Sequence, residues 1–476
     1  MTAMLFIEGL SYFSSIFPPI HPLFFSALAL AIIILTLYDL EIGLYLLLAE
    51  LFIGGGGKLF AVDINGISVT IRMVLFFAVF FGWLGEQLEN MPRILRFTRK
   101  RDVLTISYMV LGTMVVISVL YGIIANNYSN VYQDANAWLF FLLLGPFIDI
   151  LREKRTIDTV LMILFASVLW MSAKTLAFFY MFSHNYATVG EGIYTWIRDT
   201  RMGEVTNLGG GIFRIFFQSH VYSAIALVIL LGLIMHGGRR RLSWAIFLSV
   251  SLYAAMLNVT LSMSRSLWIG ALASIFFLLI LGVLKYPKAV RISAVIGVLF
   301  SAILLSQISL IRLVSGNFEY NPFIARSQNA VMEPGGSSRK NQFWPIMKEI
   351  LEHPIAGSGF GETVTYISDD PRIRSKQPDG KYTTHAFELG YLGLWLKIGL
   401  IGLGAYLVVL LTLCNKLVSG KNIIRISFGC GLIGLMVTHA FSPYLDHPLG
   451  IGFVLLSTAV IFANYRENTQ QKTEFL

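Results

Sequence analysis

The chain is short of charge. Asp, Glu, Lys and Arg make up only 13% of its 476 residues, against 56% hydrophobic residues, whereas soluble domains are about a quarter charged. That excludes an ordinary water-soluble domain. Cysteine is nearly absent: Cys414 and Cys430 both fall in or near apolar runs, so neither a disulfide nor a cysteine metal site is expected. No HExxH, DxD or cysteine cluster occurs, and no essential structural metal is expected. Lys and Arg are missing before Lys58, which predicts no cleavable signal peptide with a basic start. A complete phosphate loop is missing too. "IGGGGK" (53–58) lacks the first glycine and the closing Ser/Thr, and reads as the end of a span. Internal repeats, coiled coils and low-complexity tracts are absent. The apolar runs do not alternate, which argues against a β-barrel.

What is present is apolar length. Mean hydropathy is +0.70, and many runs reach the 18 or more residues needed to cross a bilayer core of about 30 Å. Candidate spans are 20–38, 41–56, 68–88, 104–125, 136–151, 157–180, 219–236, 243–262, 266–284, 292–310, 388–413, 425–441 and 449–464. The reading is an all-α transmembrane protein, a polytopic bundle of about 12–13 spans with one large external loop containing short helices. Basic loops recur at alternate ends: 93–101, 152–155, 237–241, 285–291 and 415–425. The positive-inside rule puts them, and the tail 465–476, in the cytoplasm. With thirteen spans, the N-terminus is outside. The chain then divides into helices over 1–310 with an outer loop at 181–218, a large outer loop at 311–387, and C-terminal helices over 388–464. Within the large loop, "NQFWPIMKEILEHP" predicts an amphipathic helix with Phe343, Trp344, Met347, Ile350 and Leu351 on one face, stopped by Pro354. The net charge of +9 is read through this loop asymmetry, and no nucleic-acid partner is expected.

Several basic residues lie on the outer side, against the usual bias. Arg198, Arg201 and Arg214 sit in 181–218, and Arg265 sits in "SMSRSLWIG" between two spans. The large loop adds Arg312, Arg326, Arg339, Arg372 and Arg374. Arginine donates two parallel hydrogen bonds and stays charged, which suits phosphate. Each can equally anchor at lipid headgroups or pair with a carboxylate; for Arg214 and Arg265, set among apolar residues, the functional reading is preferred. "KYTTHAFELGYLG" (381–393) places His385 and Glu388 before a span. His385 can act as general base, with Glu388 at i+3 on one helical face to orient it. The other reading is an interfacial histidine satisfied by backbone. His220 and His447 also lie near the outer face, as candidate accessory residues with Arg198 and Arg201. His353 reads as a helix cap. "AGSGFG" (356–361) offers backbone N–H groups beside the site, a weak signal alone. Glu50 and Lys174 interrupt apolar runs, for function or for internal pairing.

Three stretches together resemble one family. "SMSRSLWIGAL" (262–272), "SSRKNQFWPIMKEILEHPIAGSGFGE" (337–362) and "TTHAFELGYLGLWLKIGLIGLGAYL" (383–407) are similar, in order and spacing, to motifs of the bacterial O-antigen ligase and polymerase superfamily. "FRIFFQSHVYSAIAL" (213–227) is similar to its Arg-containing span entrance. The family commonly has Asn where this chain has Ala386.

The resemblance implies a GT-C-like, metal-independent membrane glycosyltransferase without cofactor. It implies a multi-pass protein of the bacterial inner membrane with its site facing the periplasm. The donor is a polyprenyl (undecaprenyl) pyrophosphate-linked glycan, and the acceptor is another lipid-linked glycan or lipid A–core. By matching position, His385 corresponds to the catalytic histidine, and Arg214, Arg265 and Arg339 to arginines on the donor pyrophosphate. Surface-polysaccharide or O-antigen polymerase is preferred over O-antigen ligase, since no feature points to a lipid A acceptor. A polymerase implies a chain-length regulator as a further partner, beside the membrane lipids. A lipid-linked glycan flippase is the rival from another class. It needs charge through the midplane, whereas charge here gathers at one face.

Overall fold

The structure, a computed structural model, describes residues 1–64, 67–89, 102–236, 241–285, 289–319, 321 and 334–463. Helices α1 (Thr2–Ile16), α2 (His21–Tyr38) and α3 (Leu40–Ile53) lead to a hairpin, β1 (Ala61–Ile64) and β2 (Ile67–Thr70). Then come α4 (Ile71–Glu89), α5 (Val103–Ala125), α6 (Tyr128–Ala135), a 3-10 helix (Asn136–Leu143) and α7 (Leu144–Ile150). α8 (Lys154–Ser183) and α9 (Ala187–Asp199) precede a second hairpin, β3 (Gly203–Gly209) and β4 (Ile212–Phe217). α10 (His220–His236), α11 (Leu242–Leu261), α12 (Arg265–Lys285) and α13 (Ala289–Ser315) follow. α14 (Pro334–Glu352) and a third hairpin, β5 (Val364–Ile367) and β6 (Lys381–Thr384), flank the short α15 (Pro371–Arg374). The chain closes with α16 (Gly390–Ser419), α17 (Ile423–His439) and α18 (Pro448–Phe462).

Among the described residues, seven helices are long and apolar enough to cross a membrane, and four shorter apolar ones accompany them. This is an all-α polytopic membrane protein. With no hydrophobic drive between helices in lipid, close packing falls to small residues. α12 and α17 show it: a Cβ at Gly270 would collide with Thr438 Oγ1, and one at Gly434 with Ser274 Oγ. The rare buried charges are paired, as burial demands. Glu50 holds Arg72 at 2.6 Å, and Lys174 holds Glu8 at 2.7 Å. Internal pairing therefore accounts for both charges that the sequence flagged.

α16 is broken. Gly399 has φ 67° and ψ 178° inside it, a region that only glycine occupies readily. The segment 353–358 fills the break. Leu400 N donates to Pro354 O at 3.0 Å, and Ser358 N to Leu396 O at 2.7 Å. Irregular backbone within a membrane protein survives where protein buries it.

Three local expectations change. The span expected at 136–151 is a 3-10 helix followed by the short α7. The amphipathic helix of the large loop is α14, but only Ile346 and Ile350 of its apolar residues are buried; Phe343, Trp344 and Leu351 are exposed. Its inward row is Ser338, Gln342, Ile346 and Ile350, all four buried, at the i, i+4 spacing of one helical face. The loops 181–218 and 311–387 each carry a β-hairpin besides their helices. Residues 93–101, most of 237–241, Arg326 and the tail 465–476 lie outside the described residues.

Candidate active site

The tight turn between α11 and α12 is the hub. Met263 takes φ 44° there, a left-handed conformation uncommon for a non-glycine residue. Ser262 Oγ donates to Val259 O at 2.6 Å and accepts from Ser264 N at 3.2 Å. α12 then begins at Arg265. Its guanidinium thus rises from a helix N-terminus, where backbone N–H groups and the macrodipole also favour an anion.

Two other arginines connect to this turn through hydrogen bonds. Arg214 projects from β4, opposite Thr206. Its Nε donates to Ser262 O at 2.9 Å, and its guanidinium lies 4.7 Å from the Phe216 ring centre. Arg339 comes from α14. Its Nε donates to Phe441 O at 2.9 Å, and its Nη2 is 3.2 Å from Glu388 Oε2. Phe441 belongs to the loop 440–447, and its neighbour Ser442 has Oγ 2.9 Å from Ser266 Oγ. One run of contacts therefore links Arg214, the Arg265 turn, Ser442–Phe441, Arg339 and Glu388. All three arginines are half-buried.

His385 lies three residues before Glu388 in the chain. β6 ends at Thr384, paired with Val364, and Ala386 N donates to Thr384 Oγ1 at 3.0 Å. Phe387 is buried against Ile346, Ile350, Val364 and Leu396. α16 starts only at Gly390, so His385 and Glu388 share no helical face, and the i, i+3 pairing expected from spacing has no helix to act on. Glu388 turns to Arg339 instead, while its backbone N donates to Gln342 Oε1 at 3.1 Å. Burial raises the Glu388 pKa, with Arg339 and Ser338 opposing. Burial lowers the His385 pKa; Asp134 opposes and Lys397 adds to the lowering.

Asp134 and Lys397 went unmarked in the sequence. Lys397 Nζ is 2.8 Å from Asp134 Oδ1, with both side chains under a tenth exposed. Lys397 Nζ also lies 5.4 Å from the Phe387 ring centre. Asp446, in the loop 440–447, is a third missed residue. Its Oδ1 is buried with no hydrogen-bond partner among the described residues. Burial pushes its pKa up to about 7, against the pull of Lys397. The signal in the sequence is a carboxylate in a turn of an apolar chain, next to His447.

The accessory candidates separate. His220 is fully buried; its Nε2 is 3.1 Å from Thr175 Oγ1, and its Nδ1 accepts from Phe217 N at 3.4 Å. His447 caps α18, its Nδ1 accepting from Leu449 N at 3.3 Å. Arg198 is near the arginine set, since it and Phe216 line one cavity of about 260 Å³. Arg201 belongs to another neighbourhood: its carbonyl accepts from Gly56 N at 3.0 Å, and its charge acts on Lys58. His353 follows α14, its N donating to Ile350 O at 3.2 Å. The glycine run 356–361 has no N–H to spare along much of its length. Phe360 N donates to Ser118 O at 3.1 Å, and Gly361 N to Asp134 Oδ2 at 2.9 Å. Gly357, Gly359 and Gly361, all at φ 81°, thread the chain between α5, α6 and the break in α16.

No curated protein and no solved structure matches this chain. One family does match, over residues 250–407, and it is described as O-antigen ligase. Arg265, Arg339, His385 and Glu388 all fall inside that stretch, and Arg214 falls outside it. Over residues 250–407, about a third of its length, this multi-pass membrane protein is thus similar to the O-antigen ligase family.

Proposed function

We propose that the protein transfers a glycan from a polyprenyl pyrophosphate to an acceptor sugar hydroxyl at the outer face of the bacterial inner membrane. What carries this reading is the run of contacts from Arg214 through the Arg265 turn to Arg339 and Glu388, with His385 three residues before Glu388 in the chain. The O-antigen ligase match supports a glycosyltransferase-type function in general terms. The arginine set supplies the finer reading.

In the proposed reaction the bond between sugar C1 and the pyrophosphate oxygen breaks. Negative charge gathers on the leaving phosphates, and fixed arginines stabilise it without reorganising. Losing one such donor costs on the order of 3 kcal/mol, or about 100-fold. The acceptor oxygen forms the new bond to C1 from the opposite face, which inverts C1. Its proton passes to the His385 imidazole, a contribution of roughly 100- to 10,000-fold. Glu388 holds Arg339, and so acts as a positioning residue for the donor. The pyrophosphate already activates the sugar, so the reading needs neither nucleotide nor metal.

Polymerase and ligase differ only in acceptor. The polymerase reading is preferred, with a lipid-linked repeat unit as acceptor and a chain-length regulator as partner; the ligase reading takes lipid A–core. The test is purified protein in detergent with lipid-linked oligosaccharide donor and both acceptors, analysed by mass. A product extended on the lipid-linked acceptor supports the polymerase, and one on lipid A–core the ligase. Absence of any transfer, with movement of donor across liposomes, supports a flippase instead.

A further inference from the structure

The proposed chemistry leaves a wide groove beside Arg339 unused. A groove of about 1060 Å³ runs between α14 and the β5–β6 hairpin, and Arg339 and Phe441 stand in its wall. Pockets for drug-sized ligands are about 300–1,000 Å³, so a pyrophosphate alone leaves most of this groove empty. The wall is built from aromatic rings and polar side chains in alternation: Lys340, Phe343, Trp344 and Lys381 line it with Arg339 and Phe441. Phe343 and Trp344 meet edge to face, with ring centres 5.3 Å apart. Trp344 is 74% exposed and Phe343 39%, so the two rings present a contiguous apolar face at the groove.

The frame around these side chains is rigid. Asn341 Nδ2 bridges from α14 to the hairpin, donating to Ile367 O at 2.9 Å and to Asp369 Oδ2 at 3.0 Å. Beneath it, Gln342 Nε2 donates to Ser338 Oγ at 3.0 Å and to Tyr366 OH at 3.1 Å. The opposite end of the same amide accepts from Glu388 N, which ties the groove floor to the residue that holds Arg339. A groove pre-formed in this way loses little entropy on binding.

We infer that this groove binds the oligosaccharide portion of the lipid-linked substrate, beyond the sugar that reacts. A pyranose has apolar C–H faces that stack on aromatic rings and a rim of hydroxyls that seek donors and acceptors. Phe343, Trp344 and Phe441 serve the first, and Lys340 and Lys381 the second. A polyprenyl tail, with no polar atoms, would leave both ammonium groups unused. The groove's continuity with Arg339 places its occupant next to the pyrophosphate, and in this respect the inference rests on the function proposed above.

The test measures binding without turnover. Oligosaccharides released from the host's own lipid-linked intermediates, free of lipid and phosphate, are titrated calorimetrically into the detergent-solubilised full chain. The wild type should bind them. Trp344→Ala and Lys340→Ala, both on exposed positions, should each weaken binding, by roughly tenfold for the tryptophan. Binding of a polyprenyl pyrophosphate that carries one sugar should stay unchanged in both variants. Oligosaccharide affinity equal in wild type and both variants overturns the inference. So does an equal loss for the one-sugar donor, which would mean that the groove holds the lipid. If the oligosaccharide results hold while no transfer is seen, the transferase reading fails and the groove stands. If transfer occurs and free oligosaccharide does not bind, the groove fails alone.

Discussion

Arg339 is fixed from two sides: Glu388 Oε2 lies 3.2 Å from its Nη2, and Phe441 O accepts from its Nε at 2.9 Å. In the proposed reaction Glu388 therefore serves the phosphate side of the site rather than the histidine. Glu388→Gln should raise KM for the lipid-linked donor severalfold and leave the acid limb of the pH–rate profile where it was. Steady-state kinetics across pH check both. A displaced limb with unchanged donor KM would return Glu388 to His385.

Arg265 opens α12 at a helix N-terminus; in the proposed reaction its fork geometry and the helix dipole act on the same pyrophosphate. Arg265→Ala should lose about 100-fold in transfer, as for removal of one oxyanion donor, while the protein still inserts. Arg265→Lys should rescue poorly, because an ammonium cannot make two parallel bonds. Donor titration of inserted, folded protein is the check; full activity in Arg265→Ala would reduce this residue to an interfacial anchor.

Long apolar runs read well from sequence because their period and length are local. The spans expected at 20–38 and 266–284 are α2 and α12 within two residues. The β3–β4 hairpin is also locally encoded: Gly209, Gly210 and Gly211 all have positive φ between its two strands, a turn signal. The face of α14 was misread for a different reason. Half of its inward row, Ser338 and Gln342, is polar and satisfied by Tyr366, so hydrophobic periodicity pointed elsewhere. The Asp134–Lys397 pair spans 263 positions, and no spacing argument reaches that far. Ser-Arg-Ser and His385 stood out by motif; their partners came only with the tertiary structure.

The break in α16 depends on Gly399. A Cβ there would collide with Ile355 O, and its φ of 67° with ψ of 178° costs a side-chain-bearing residue roughly 1–3 kcal/mol. Gly399→Ala should lower the thermal unfolding midpoint in detergent, followed by tryptophan fluorescence. Gly404→Ala, where a Cβ meets open space, should not. Equal midpoints in the two variants would show that the break tolerates a side chain.

The orientation proposed from basic loops can be read by labelling. Cys414 and Cys430 are buried, so a new thiol reports on its own surroundings. Lys376→Cys, in the exposed part of the large loop, should react with an impermeant thiol reagent in cells with a permeabilised outer barrier. Arg241→Cys should react only after the inner membrane is opened. The reverse pattern would put the arginines in the cytoplasm and end the proposal of a periplasmic site.

His385 gives the sharpest test of mechanism. A general base must be neutral to accept the acceptor's proton. Burial favours the neutral imidazole; Asp134 opposes it, Lys397 reinforces it, and the net pKa lies below the ordinary 6.5. Activity should therefore hold as pH falls through 6.5, and decline only below it. His385→Ala should lose roughly 100- to 10,000-fold in kcat, with donor binding retained, because the arginines hold the pyrophosphate. Asp134→Asn removes a neighbour that favours the imidazolium, so the acid limb should move to still lower pH. A limb that moves upward in Asp134→Asn would show that the titrating group is not His385. Loss of donor binding in His385→Ala, with turnover kept at saturating donor, would assign the histidine to the phosphate instead.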